Sequence, residues 1–368
     1  NRDITATMDI HMEDLPQLTR LGYTDFFDAH RVELGAVIDQ LARVTAEHKG
    51  VYEVTGTVGP YRAAVTGKRM LNATSRDDYP AVGDWVVVKD DTDDSKVITD
   101  VLPRRTTLHK KRGGRDESRL IAANVDVALI VESTDRDYSL NRFERYLVLA
   151  REGGIKPVII LNKADLYAEG DLAKSVAAIH ERFNDVDVLT TSTMTDTGLH
   201  ELVSYIQPGL TYCFVGSSGA GKSTMINKLL QQDTIATTEI SEKTGRGIHT
   251  TTARQMYVMN NGGIIIDNPG SREVGVIGAG IGASDVFDDI EELLTTCRFS
   301  NCGHTSEPGC AIRQAIDDGS LDTQRYENYQ RLQKEAAHRE ASAYSRRQKD
   351  KKFGKFVKKV KADLSEYS

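Results

Sequence analysis

An eight-residue stretch, Gly216-Ser217-Ser218-Gly219-Ala220-Gly221-Lys222-Ser223, constrains this chain more tightly than any other part of it. It follows the apolar run Leu210-Thr211-Tyr212-Cys213-Phe214-Val215 and precedes a helix-like run from Thr224 to Leu230. Strand, glycine-rich turn, Lys-Ser and helix together form the context that a phosphate-binding P-loop requires. The glycines let the backbone wrap until successive N–H groups point at phosphate oxygens, at a helix N-terminus that already favours anions. Lys222 is expected to reach the β- and γ-phosphates and the Ser223 hydroxyl to ligate Mg2+, with Thr224 opening the helix beside them. A strand-to-helix turn that bound nothing would not need the lysine and serine. The expectation is a nucleoside phosphate site.

Upstream, from Asn124, strands (125–131, 157–161, 187–191) alternate with helices (140–152, 172–182, 199–206). Such alternation means a parallel sheet covered on both faces, with ligands at the carboxyl ends of the strands. Asn162-Lys163-Ala164-Asp165 directly follows one of those ends. Asp165 can accept from both N1–H and the 2-amino group of guanine, a donor pair that adenine lacks. Asn162 can bond the purine's other edge, and the Lys163 stem can lie along the ring. A carboxylate facing the wrong base is left unpaired, which discriminates strongly. Ser192-Thr193, after the next strand end, is placed to support the base through backbone N–H groups.

Downstream come Gly245-Arg246-Gly247-Ile248-His249-Thr250-Thr251-Thr252 and a strand, 263–266, that runs into Asp267-Asn268-Pro269-Gly270. Asp267 suits a direct or outer-shell Mg2+ contact and the Gly270 N–H suits the γ-phosphate, while Thr250 or Thr251 would close on the metal. In ordinary small GTPases the phosphate motifs come first and the guanine motif follows, whereas here the guanine motif leads. Cutting the ordinary fold before its fourth strand, and joining its last helix to the P-loop strand through Gln207-Pro208-Gly209, reproduces this order. Such permutation is feasible because the termini of compact domains often lie close together. Ser271 follows Gly270 where many GTPases carry a water-orienting glutamine, so intrinsic hydrolysis should be slow. His249 is a candidate for that water, and an exposed switch histidine is the other reading of it.

At 368 residues the chain has room for two or three domains. Residues 1–49 read as a lead-in with helical periodicity over 36–44. Residues 50–103 switch to short alternating runs separated by Gly, Asp, Asn and Pro, the pattern of a small oligonucleotide-binding (OB-like) β-barrel. Its aromatics Tyr52, Tyr61 and Trp85 could stack on bases, but strand aromatics are more often core. A basic linker, 104–123, is either solvated or a phosphate contact. Cys297, Cys302, His304 and Cys310 fall within fourteen residues, a Cys3His set suited to one structural Zn2+ in a reducing compartment. From Arg325 to Lys361 thirteen Lys/Arg face four Asp/Glu, a local +9 on a chain whose formal charge is -7. That run, with Phe353 and Phe356 in it, suits RNA backbone contact. No apolar run approaches the roughly 20 residues of a membrane span, and residues 1–14 are polar and acidic, without a basic-then-apolar signal pattern, so export is not expected. The fold expected is therefore multidomain: the barrel, a permuted α/β P-loop domain over 124–290, a helical zinc-binding domain over 291–348 and a basic tail over 349–368.

The permuted motif order, Gly-Arg-Gly-x-His-Thr-Thr, Asp-x-Pro-Gly, and Cys-x4-Cys-x-His-x5-Cys running into Ala-Ile together resemble the bacterial ribosome small-subunit-dependent GTPase A family, over roughly Val51 to Gln333. The resemblance implies GTP hydrolysed to GDP with Mg2+, stimulated by the small ribosomal subunit and its rRNA late in that subunit's maturation, by a cytoplasmic monomer. A permuted GTPase with another RNA or protein partner, or an RNA-binding scaffold with a structural nucleotide site, are the alternatives, and GTP turnover with and without small subunits separates them.

Overall fold

The computed structural model describes residues 16–48, 50–66, 76–91, 95–111, 118–133, 138–168, 170–234, 254–267 and 281–337. His249, Thr250, Thr251, Gly270 and the tail 349–368 lie outside them.

Five strands close the N-terminal barrel: β1 (Leu41–His48), β2 (Val51–Gly56), β3 (Gly59–Val65), β4 (Trp85–Asp90) and β5 (Lys96–Val101). The pairing runs β1-β2-β3-β5-β4 and returns from β4 to β1, with β3 and β5 parallel and the other pairs antiparallel. Closure removes every exposed sheet edge. Ala42, Val44, Val54, Ala63, Val65, Val86, Val88 and Ile98 fill the interior.

The helix expected over 36–44 is reduced to one 3-10 turn, Ile38–Gln40, because β1 starts at Leu41 and supplies the barrel's first strand. Leu41, Ala42, Arg43 and Val44 are all buried, so the strand is covered on both faces. A two-sided strand is apolar without alternation, which a helical period also fits. β4 behaves likewise: Val86 and Val88 face the barrel interior, while Trp85 packs outside against Tyr23 and Phe27. Tyr23 precedes, and Phe27 sits in, the helix Asp25–Glu33. Tyr52 and Trp85 are buried core residues, as read from the sequence.

The presumed basic linker is a hairpin, β6 (Thr107–Lys111) with β7 (Ser118–Ala123). Leu108 and Leu120 through Ala123 are buried. Arg104 is held within the fold: its guanidinium makes two 2.8 Å bonds to the fully buried Asp84 carboxylate. It also donates to the Asp77 and Tyr79 carbonyls.

The α/β sheet contains β8 (Val127–Ser133), β9 (Lys156–Asn162), β10 (Asp187–Thr190), β11 (Thr211–Val215), β12 (Gln255–Val258) and β13 (Ile264–Asp267). Its order is β10-β9-β8-β11-β13-β12, parallel except for β12, which also touches β1 of the barrel. Alternate residues of each strand serve two cores, one around Ile130, Ile159, Cys213 and Phe143, the other around Leu129, Ile160, Phe214 and Leu202. Counting from β11 through β12 and β13, then β8, β9 and β10, restores the ordinary motif order. The joint lies between the helix Leu199–Tyr205 and β11. It is stapled by Gln207 N–H to Tyr212 Oη (3.0 Å), Gly209 N–H to Gly262 O (2.8 Å) and Asn261 Nδ2 to Ile206 O (2.9 Å).

Arg43 ties the two domains together. Its buried guanidinium lies over Trp85 and donates to Gly83 O (3.1 Å), Asn124 O (3.1 Å), Thr211 Oγ1 (3.0 Å) and Leu21 O. Burial lowers its pKa to about 10, so it stays charged at neutral pH.

The C-terminal helix Ile281–Val286 and the helical run 323–337 pack on the helix Leu140–Glu152, while Asp288–Thr295 packs on Ile281–Val286 and on Ala311–Asp317. Phe287, Ile312, Tyr326 and Leu332 extend the α/β core without a break. Among the described residues no helix is long and apolar enough to cross a membrane.

Candidate nucleotide site and metal centre

β11 ends at Val215 and the chain turns through Gly216–Gly221 into the helix Lys222–Thr234. Gly216 has φ +133, and a Cβ there would sit 2.0 Å from the Val131 carbonyl oxygen. Gly221 has φ +94, and a Cβ there would sit 2.2 Å from Asn162 Nδ2. Conformation and contact both demand glycine at each position. Ser217 and Ala220 are buried, whereas Ser218, Gly219, Ser223 and Thr224 are exposed at the mouth of the loop.

Lys222 Nζ donates to Gly216 O at 2.7 Å and to Ser217 O, which aims the ammonium across its own loop. Burial lowers its pKa from 10.5 to about 8, against the pull of the Glu132 and Asp267 carboxylates. The folded state thus disfavours the charged form, and the free protein gains stability as pH rises from about 8 toward 10.5. A polyphosphate at the loop restores the charge, so its binding takes up a proton in that window. GDP affinity, measured by fluorescence titration, is therefore expected to fall as pH rises past about 8; an affinity that stays level well above that value contradicts this account of Lys222.

The base loop is tied to the phosphate loop by one side chain. Asn162, at the end of β9, is fully buried; its Nδ2 donates to Ala220 O at 2.8 Å and its Oδ1 accepts from Thr191 Oγ1 at 3.1 Å. Asn162, expected from the sequence at the purine edge, also braces the two loops against each other. Lys163 takes a left-handed backbone (φ 61) and starts the short turn Ala164–Leu166, whose Ala164 N–H donates to Thr191 O at 3.0 Å. Asp165 accepts from Ser192 Oγ, which also takes the N–H groups of Met194 and Thr195 at 3.2 Å each. Ser192 and Thr193 are buried and Asp165 is exposed, so the carboxylate stands at the rim on a fixed support. Thr191 escaped the sequence reading, although its place beside Ser192-Thr193 was the available signal.

Glu132 escaped it too. This buried acid at the end of β8 accepts from Ser217 N–H (2.9 Å) and Ser217 Oγ (2.8 Å). A glutamate closing an apolar strand was the only hint. Asp267, at the end of β13, is half-buried and near enough to Lys222 to act on its charge.

Three thiols and an imidazole meet as the sequence anticipates. The Sγ atoms of Cys297 and Cys310 stand 3.6 and 3.5 Å from His304 Nδ1. A tetrahedral ion with ordinary zinc–sulfur and zinc–nitrogen bonds separates such ligands by about 3.6 Å. With Cys302, all four donor atoms lie within 4.8 Å of one another, so the set fits a closed tetrahedral metal. Glu307, missed in the sequence, shapes the loop by accepting from the N–H groups of Gly303, Thr305 and Ser306 at 2.9–3.0 Å. Its own backbone N–H together with those bonds holds its carboxyl down at about 2.

A model of the RsgA GTPase family matches residues 101–277. A Lactiplantibacillus plantarum protein named small ribosomal subunit biogenesis GTPase RsgA 2 is 40% identical over 81% of this chain and 84% of its own length. A Bacteroides thetaiotaomicron protein named small ribosomal subunit biogenesis GTPase RsgA 1 is 39% identical over 87% of this chain and 89% of its own. Among solved structures, YjeQ from Thermotoga maritima superposes with a TM-score of 0.59 at 28% identity, over 81% of this chain and 98% of YjeQ. YloQ, titled a circularly permuted GTPase, gives 0.56 at 26% identity, over 81% of this chain and 95% of YloQ. Sequence identity over four-fifths of the chain and a shared permuted fold agree with the phosphate loop, the base loop and the cysteine cluster, and this chain belongs to the RsgA GTPase family.

Proposed function

We propose that this chain hydrolyses GTP to GDP and phosphate and uses the bound nucleotide to time its attachment to, and release from, the small ribosomal subunit during that subunit's maturation. The observation that carries the reading is the Asn162 amide, which joins a guanine-type base loop to a P-loop through Ala220 O. The names borne by the relatives supply the ribosomal context.

In this mechanism Asp165, held by Ser192, selects guanine by accepting its two adjacent N–H donors. The N–H groups from Ser218 to Lys222 and the Lys222 ammonium hold the phosphates and meet the charge that develops as the γ-phosphoryl group leaves. Ser223, Asp267 and a threonine at Thr250 or Thr251 are the residues that would hold magnesium. When bound, that ion neutralises phosphate charge. Gly270 N–H serves the γ-phosphate. His249 orients the attacking water when the chain is on the subunit, in place of a glutamine that Ser271 does not supply. One zinc ion on Cys297, Cys302, His304 and Cys310 holds the loop ahead of the helix Ala311–Asp317 in shape. The basic tail after 349 contacts rRNA phosphates, and the protein works as a cytoplasmic monomer.

GTP turnover measured with and without purified small subunits tests this. Strong stimulation is expected, and His249→Ala should abolish most of it while leaving GDP binding unchanged. Equal turnover with and without subunits would remove the ribosomal partner, and no turnover at all would leave only a nucleotide-bound scaffold.

A further inference from the structure

Glu132 lies under the phosphate loop, where β8 runs so close that Gly216 admits no side chain. Its Oε1 takes both donors of Ser217, at 2.9 and 2.8 Å. Its Oε2 makes no hydrogen bond and faces Arg142 Nη1 at 3.9 Å. Arg142, from the helix Leu140–Glu152, also donates to Ser217 Oγ at 3.0 Å. Ser217 is thus gripped by an acid from below and a guanidinium from the side. A carboxylate in that place is unexpected on electrostatic grounds. Phosphate oxygens are favoured by cations and N–H groups, and a fully buried anion beside them is not screened by water.

We propose that Glu132 is a positioning residue for the phosphate loop: it fixes the Ser217 turn, and its charge, opposed by Arg142, keeps polyphosphate affinity below what the loop alone would reach. The proposal rests on reading Gly216–Ser223 as the phosphate site of a guanine nucleotide. Its effect is on exit, since a diphosphate held less tightly leaves faster and the loop is ready sooner for the next triphosphate.

The charges around Glu132 fix the sign of a pH dependence. Ser217 faces it from the loop, Arg142 and Tyr146 from the helix Leu140–Glu152, and Lys222 from the start of the following helix, with Asp267 acting on Lys222 from β13. Burial pushes the Glu132 carboxyl up, and bound phosphates push it further the same way. Nucleotide binding therefore takes up a proton at Glu132, and affinity falls as pH rises through its titration range.

The test is Glu132→Gln in the full chain, which keeps an acceptor for Ser217 and removes the charge. GDP affinity with Mg2+, GDP release and thermal midpoint are measured below the Lys222 value of about 8. The expected result is about tenfold tighter GDP binding, matching slower release and loss of the acid-range pH dependence. Arg142→Gln serves as the second variant and should weaken GDP binding severalfold by leaving Glu132 unopposed. Unchanged or weaker binding in Glu132→Gln with the pH profile of the unsubstituted chain overturns the proposal, and so does an Arg142→Gln variant that binds as before. If the unsubstituted chain binds no guanine nucleotide, the reading of the site falls as well; if it binds and Glu132→Gln matches it, this proposal alone falls.

Discussion

Replacing Asp165 by asparagine should shift the nucleotide preference from guanine to xanthine by about a thousandfold. The carboxylate stands on a rigid footing, with Lys163 in a left-handed conformation, Ala164 N–H bonded to Thr191 O, and one carboxylate oxygen taken by Ser192. Asparagine can keep an oxygen toward Ser192, so the turn should persist. What changes is the atom facing the base, where an N–H2 replaces an acceptor. Against guanine it meets another donor, and the buried donors of the base lose their partner at a cost of several kcal/mol. Against xanthine it meets the 2-oxo group, which accepts. Competition of GTP and xanthosine triphosphate for the same labelled nucleotide reads the switch directly. Guanine affinity left at its original level in a folded Asp165→Asn variant would remove Asp165 from the base site.

The second large effect belongs to the joint between the α/β domain and the cysteine-bearing helices. Arg325 donates to the fully buried Glu144 at 2.6 Å, to both oxygens of Asp289 at 2.7 and 2.9 Å, and to Val286 O at 3.0 Å. Glu144 is also held by Arg182 at 2.9 Å and by Asn328. Arg325→Ala leaves a buried carboxylate short of a partner and a carbonyl unbonded, which is expected to cost about 3–5 kcal/mol. Removing both members, as Arg325→Leu with Glu144→Leu, should cost less than the single arginine change, because the buried carboxylate goes with its partner and Arg182 keeps Asp322 at 3.8 Å and its 2.7 Å bond to Asn141. Urea unfolding of Arg325→Leu, of Glu144→Leu and of the double gives the coupling. A loss below about 1 kcal/mol for Arg325→Ala would mean that this network contributes no more than a surface pair.

The nucleotide loops were legible because local geometry dictates their residue types. Gly216 and Gly221 face a carbonyl and an amide at distances that admit no Cβ, and Lys163 occupies a conformation few residues adopt. The cysteine cluster was legible for a similar reason, since four ligands within fourteen residues need only one tight loop to meet. What escaped depends on partners far along the chain. Glu132 meets Ser217 across 85 residues, and Arg104 meets Asp84 across 20. A lone charge in a strand or a basic run reads as a solvated face until its counterpart is known. β1 was missed for a different reason: burial on both faces erases the alternation that marks a strand.

Arg43 has a consequence for how the chain is made. Its four acceptors lie 22, 40, 81 and 168 residues away, on Leu21, Gly83, Asn124 and Thr211. Thr211 opens the P-loop strand, which the permuted order places after β8, β9 and β10. A ribosome adding about 5–20 residues per second leaves an interval of roughly ten to thirty seconds between Arg43 and Thr211. Throughout that interval the guanidinium lacks its last acceptor, and the face of the barrel that meets the sheet stays open to solvent. The barrel therefore completes its docking only after the P-loop strand, and then β12, whose Gln255 pairs with Ala46 of β1, have emerged, so the N-terminal domain waits on the later half of the chain.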